Sequence, residues 1–326
     1  MNRNQCATQA TVVALAALLL GCDAMKPSHA HAAPPPSTVR STEVWGPSPV
    51  RGPSPIGFAK GRVAEILPGG MLQIRSLPDL AVEAKLSLEA RAVGSLADGT
   101  LLALAADKLC TLAPGAHEPT CRPKLTIMSE RLGWVWSDAA GSLWMLEGDV
   151  ARRCIIEGAK VRVTGSVKLS VGAGAILAPL GDGSVVWGEN MTLHHATTTK
   201  TTEWFSHGGG ILHAAPGAPG HVWISLDNQT LILIKAGATL ELVRTIHSER
   251  ILSLSATPTH VATVVGHPAH LVVRDAQGAQ ILDRPLPTDA RAFHVALSPF
   301  APLVAVGGDG ELTVWTLDGK KLGKTP

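Results

Sequence analysis

A single pattern recurs through most of this chain at steps of 37 to 42 residues, starting from anchors at Gly61, Gly99, Gly141, Gly183, Gly220, Thr259 and Ala301. Each unit opens with a short apolar run, turns at a polar or glycine-containing step six to nine residues past the anchor, and continues into a second apolar run. Gly99-Thr-Leu-Leu-Ala-Leu-Ala-Ala-Asp-Lys-Leu-Cys-Thr-Leu112 and Gly220-His-Val-Trp-Ile-Ser-Leu-Asp-Asn-Gln-Thr-Leu-Ile-Leu-Ile234 show it clearly; the unit from Gly61 fits more loosely. The runs are rich in Val, Ile, Leu and Trp and have strand length. Further apolar stretches lie between these hairpins, as at Val161–Val163, Leu240–Thr245 and Phe293–Leu297, which gives about four strands per unit.

A period near forty with four short strands is the mark of a propeller blade. One blade cannot bury both of its faces; blades stacked around an axis cover each other, and closing the ring removes most exposed edges. Helical repeats of similar period do not fit, because Gly, Pro, Asp and Asn break every run. The predicted fold is therefore all-β, a single β-propeller of seven four-stranded blades over residues 56–326, with six or eight blades left open if an end unit is miscounted. Trp144, Trp187 and Trp223 recur three or four residues past their anchors, a placement that predicts packing between blades. The last unit, Ser298-Pro-Phe-Ala-Pro-Leu-Val-Ala-Val-Gly-Gly-Asp-Gly-Glu-Leu-Thr-Val-Trp-Thr-Leu-Asp-Gly319, resembles a WD40 blade, with Trp315 in its third strand. The other units lack that Trp, so the likeness is to the broad WD40-like group. For the outermost strand of the closing blade there are two candidates, Lys320–Lys324 and residues 41–45.

The N-terminus reads differently. Arg3 precedes an apolar run from Ala10 to Leu20, the length of a signal-peptide core and short for a membrane span. Leu19-Leu20-Gly21-Cys22 follows and resembles the lipobox of bacterial lipoproteins. That resemblance implies a signal peptide over 1–21, cleavage before Cys22, lipidation of Cys22, and a lipid-anchored place in the bacterial cell envelope, outside the cytoplasm. A plain secretory signal cut near Ala30-His31-Ala32 and an uncleaved anchor are the alternatives. Asp23 bears on inner- against outer-membrane retention only in some hosts. Residues 22–55, with Pro34-Pro35-Pro36 and two copies of Gly-Pro-Ser-Pro, have the composition of an extended tether that builds no core.

Few residues suggest chemistry. Cys110 and Cys121 flank the turn Ala113-Pro-Gly-Ala-His117 almost symmetrically, so a hairpin there brings them face to face, and export makes a disulfide the expected state. Two separate buried thiols are the alternative, and Cys154 is left over as a small core residue. No catalytic residue and no metal ligand set is read from the chain: CxxC, HExxH and GxSxG are all absent. His194-His195 are neighbours on a predicted strand and point to opposite faces, while His267 and His270 fall in a predicted turn and are expected to be exposed. The Asp-Gly pairs at 98–99, 182–183, 309–310 and 318–319 are expected to be turns rather than acid sites.

With 45% hydrophobic residues and a net charge of only +2, the chain lacks the basic bias of a nucleic-acid binder. Two functions fit. One is a non-catalytic binding or scaffold module, with no cofactor, that holds a protein, peptide or glycan on its loop face. The other is a propeller enzyme, a hydrolase or lactonase-like protein, with a metal or cofactor in the central channel.

Overall fold

The computed structural model describes residues 55–323, apart from 106–107, 124–131, 138–142, 148–149, 158–159, 170–175, 190, 198, 207–208, 288–292 and 309–310. Cys22, Trp45, the candidate strand at 41–45 and the Asp309-Gly310 turn lie outside the described residues.

Seven antiparallel sheets follow one another along the chain, each a meander of strands that pair in sequence order. The first blade holds β1 (Ile56–Ala59), β2 (Arg62–Leu67), β3 (Met71–Ser76) and β4 (Val82–Ser87), and the second β5 (Ala90–Ser95), β6 (Leu101–Ala105), β7 (Lys108–Leu112) and β8 (Thr120–Pro123). The third holds β9 (Leu132–Ser137), β10 (Leu143–Glu147), β11 (Val150–Glu157) and β12 (Lys160–Lys168); the fourth β13 (Ile176–Pro179), β14 (Val185–Glu189), β15 (Thr192–Ala196) and β16 (Thr201–Phe205). The fifth holds β17 (Ile211–Pro216), β18 (His221–Leu226), β19 (Thr230–Ala236) and β20 (Leu240–His247); the sixth β21 (Ile251–Ala256), β22 (His260–Val265), β23 (His270–Asp275) and β24 (Gln280–Pro285). The seventh holds β25 (His294–Leu297), β26 (Leu303–Gly308) and β27 (Glu311–Thr316).

The first strand of each sheet is the innermost, since β1, β5, β9, β13, β17, β21 and β25 touch one another in turn and β25 touches β1. Each described sequence anchor therefore sits in the connection from innermost to second strand or just at its end. Because successive strands alternate direction, these connections share one face of the disc with the links from third to fourth strand. The turns from second to third strand, and the links from one blade to the next, lie on the opposite face.

The core is divided, not central. Seven buried apolar clusters occur, one at each blade–blade interface. Between blades 3 and 4, Trp144 and Trp187 pack with Val167 and Leu169; between blades 5 and 6, Trp223 packs with Leu231 and Val261. The recurrent Trp position is thus a packing position. The alternation of a strand explains the division: Trp187 faces blade 3, while its neighbour Val186 faces blade 5.

Among the described residues, closure draws on the C-terminal segment. Lys321 bridges to Trp315, Leu322 donates its amide to the Val314 carbonyl at 2.8 Å, and Thr316 donates to Lys320 at 2.9 Å. The segment after β27 therefore supplies the outer edge of blade 7. The joint with blade 1 is an apolar cluster of Ile56, Phe58 and Val63 against Ala296, Leu303, Ala305 and Val314, with Leu322 and Leu80 at its margin. The backbones come close there: a Cβ on Gly307 would lie 2.7 Å from Cδ1 of Ile56.

Candidate functional groove

The innermost strands are poor in chemistry. Their sequences contain Arg91, His213 and His294 as the only ionisable side chains, and no Asp or Glu. Ser253 and Ser255 on β21 accept hydrogen bonds from the amides of Val295 and Leu297 on β25, at 3.1 and 3.0 Å, so these hydroxyls join blade 6 to blade 7. Among the described residues no three His, Cys, Asp or Glu side chains gather in the manner of a metal site.

The other polar clusters are structural. Buried Glu65 accepts from Gln73 at 2.9 Å and from Arg75 at 3.2 Å, a compensated charge inside blade 1. His194 stacks on Trp187, with ring centroids 4.9 Å apart, and its Nδ1 lies 3.2 Å from Glu203. Its neighbour His195 pairs opposite Val186, on the face turned toward blade 5, where burial pushes its pKa down against a smaller upward pull from Asp182. The two histidines do point apart as their strand alternation requires. His267 is exposed, but His270 is not a turn residue: it begins β23, is half-buried, and sets Nδ1 3.1 Å from Asp283. The turn ends at Ala269, one residue earlier than expected, because His270 already pairs opposite Val265 of β22 and Pro285 of β24. Gly209 and Gly210 lie in the link from blade 4 to blade 5, with the Gly210 amide donating to Asp227 at 2.9 Å.

The described Asp-Gly pairs are turns. Gly99, Gly183 and Gly319 all have φ near +90°, a region that favours glycine. Asp98 and Asp182 accept the amides of Thr100 and Ser184 at 2.8 and 2.9 Å.

The Cys110–Cys121 disulfide is present, joining residues directly opposite in the β7–β8 ladder. Cys154 is free and buried between blades 2 and 3, where desolvation pushes its thiol up to about 11. Beside the disulfide opens a groove of about 330 Å³, at the lower end of the range for ligand pockets. One wall is the β5–β6 turn, with Leu96, Asp98 and Thr100; the second is the β7–β8 hairpin, and Ile156 of blade 3 closes the far side.

The hairpin wall is pinned. The disulfide holds its base. Thr111 donates to the Thr120 carbonyl at 3.2 Å and accepts from Arg122 Nη1 at 2.7 Å, just beyond it. At the tip, Arg62 of blade 1 donates to the Ala116 carbonyl at 2.7 Å, and its own charge is met by Glu83 at 2.7 Å. Arg62 is 8% exposed, so its end of the clamp is shielded from water, while Glu83 stays at the surface. The cysteine pair is legible in the sequence and the groove is not, since Asp98, Arg122 and Ile156 come from three non-adjacent strands or turns and two blades.

No protein-family model and no curated protein sequence matches the chain. Among solved structures, it is similar to BBS1N in a complex with ARL6DN (TM-score 0.62, 11% identity, 81% of this chain and 92% of that one). It is also similar to virginiamycin B lyase from Staphylococcus aureus (TM-score 0.59, 12% identity, 83% and 95%). A third likeness is to the Cps50 (Swd1) propeller domain from Myceliophteria thermophila (TM-score 0.57, 14% identity, 81% and 96%). Identities this low speak to architecture alone, and what they establish together with the seven meandering sheets is a WD40-like seven-bladed β-propeller.

Proposed function

We propose that the chain is a non-catalytic binding module of the bacterial cell envelope, held at a membrane through lipidated Cys22, that receives a partner in the groove between blades 2 and 3. The carrying observation is the pinned hairpin wall. A loop fixed by a disulfide at its base and a buried guanidinium at its tip loses little freedom on binding, which favours recognition. The disulfide also suits an oxidising compartment outside the cytoplasm. Several chains' worth of acyl carbon at about 0.8 kcal/mol per buried CH₂ would make such an anchor firm.

A second reading, a propeller enzyme, draws on the lyase among the similar structures. Such a site needs polar groups that converge on the axis, and the innermost strands offer Arg91, His213 and His294 without a carboxylate.

The test is photocrosslinking in living cells from Ala113 in the groove wall, with Asn228 on the opposite face as control, combined with labelled fatty acid. The expected result is one recurrent protein partner captured from Ala113 and not from Asn228, with label in the wild type and none in Cys22→Ala. Equal labelling of both forms refutes the anchor, and identical capture from both faces refutes the groove.

A further inference from the structure

We infer that the groove between blades 2 and 3 takes the side chain of a lysine or arginine from an extended protein segment. This rests on the binding reading above and names the chemistry of its occupant.

Charge comes first. Asp98 and Glu118 stand at the groove with exposed carboxylates, against the single guanidinium of Arg122. Arg122 is engaged by the Thr111 hydroxyl. The Arg62 clamp adds no field of its own, because Glu83 neutralises it. The described lining is therefore net negative, and an anionic ligand would meet two carboxylates.

Shape and surface come next. Leu96, Ala113, Ala116 and Ile156 supply hydrocarbon between the charges. A lysine or arginine carries a methylene stem with a charged head, and packs the one while solvating the other. Among the described residues no aromatic side chain lines the groove, so a sugar ring finds no stacking platform there. The volume of about 330 Å³ suits one long side chain with its flanking backbone rather than a folded surface.

Rigidity makes the two carboxylates selective. Asp98 is committed through one oxygen to the Thr100 amide at 2.8 Å, which fixes the carboxylate in place. Glu118 sits on the hairpin held by the disulfide and by Arg62. A cation arriving there meets acceptors already positioned, and specificity follows from the mismatch that any neutral or acidic side chain would suffer.

The experiment titrates the full chain, purified oxidised, with blocked pentapeptides of alanine carrying a central Lys, Arg, norleucine or Glu, read by calorimetry. Lys and Arg peptides are expected to bind at least tenfold more tightly than the norleucine and Glu peptides. Glu118→Gln and Asp98→Asn are each expected to weaken Lys binding at least fivefold with unchanged thermal unfolding; Asn keeps the oxygen that accepts the Thr100 amide. Equal affinity for Lys and norleucine, preference for Glu, absence of binding by all four peptides, or variants that bind as the wild type does would each overturn the proposal. If cationic peptides fail while Ala113 still captures a partner in cells, the ligand class is wrong and the binding module stands; if both fail, the groove is not the binding site.

Discussion

At the residue scale, burial decides what the histidines do. His294 on the innermost strand of blade 7 has its pKa pushed down by desolvation, and so does His195. The unfolded chain takes up these protons near pH 6.5, while the folded chain resists them to lower pH. Between those two points the unfolded state holds more protons, so stability rises with pH. The stabilisation is complete above about pH 7 and drains as the pH falls through 6.5. Urea unfolding at pH 7.5 and 5.5 is expected to show a lower midpoint at 5.5, and His294→Gln is expected to shrink the difference. An unchanged or reversed difference would sink this account.

At the element scale, the β7–β8 hairpin is the most constrained connection described. Its disulfide spans a sequence separation of 11. On the chain-entropy model, closing so short a loop contributes about 3 kcal/mol. The double variant Cys110→Ala/Cys121→Ala is expected to lose about 2–3 kcal/mol by denaturant unfolding. Thiol titration of the unfolded propeller, with residues 1–22 removed, is expected to find one free thiol, that of Cys154. Three thiols, or an unshifted midpoint in the double variant, would remove the staple from the argument. The blade 4 hairpin makes a contrast: β14 and β15 hold together through buried side chains such as Trp187 and Leu193, with no covalent tie.

At the scale of the whole molecule, the ring is held by seven interfaces and one of them joins the two ends of the propeller. The closing cluster between blades 7 and 1 relies on Leu322 at its margin, and Gly323 donates to the Pro78 carbonyl at 3.2 Å. Removal of residues 320–326 strips that edge and frees the Thr316 amide. A loss of about 2 kcal/mol is expected from the lost packing and hydrogen bonds, with hydrogen exchange accelerated at Thr316 more than at the blade 5 strand β19. Equal protection at both places in the truncated chain would show that closure does not depend on this segment. The rim of the disc also exposes apolar side chains, Val82, Leu242, Val243 and Ile281, all on fourth strands. They mark the sheet edges that ring closure does not cover.

What the sequence by itself determined was the repeat, and with it most of the fold. Period, strand length and turn residues are local properties, and the anchors, the recurrent Trp positions and the Cys110–Cys121 pairing all follow from spacing along one chain segment. His194 and His195 were legible for the same reason, since alternation on a strand is local. His270 was misplaced because a strand boundary depends on the register with β24, which no local pattern sets. Blade number at the ends and the choice of Lys320–Leu322 as the outer edge were decided only by tertiary structure, because closure depends on how Ile56 and Phe58 meet Leu303 and Val314 across the length of the domain. The groove belongs to the same class: Arg62, Asp98, Glu118 and Ile156 are brought together by the stacking of three blades, and their shared chemistry exists only once blades 1, 2 and 3 are packed.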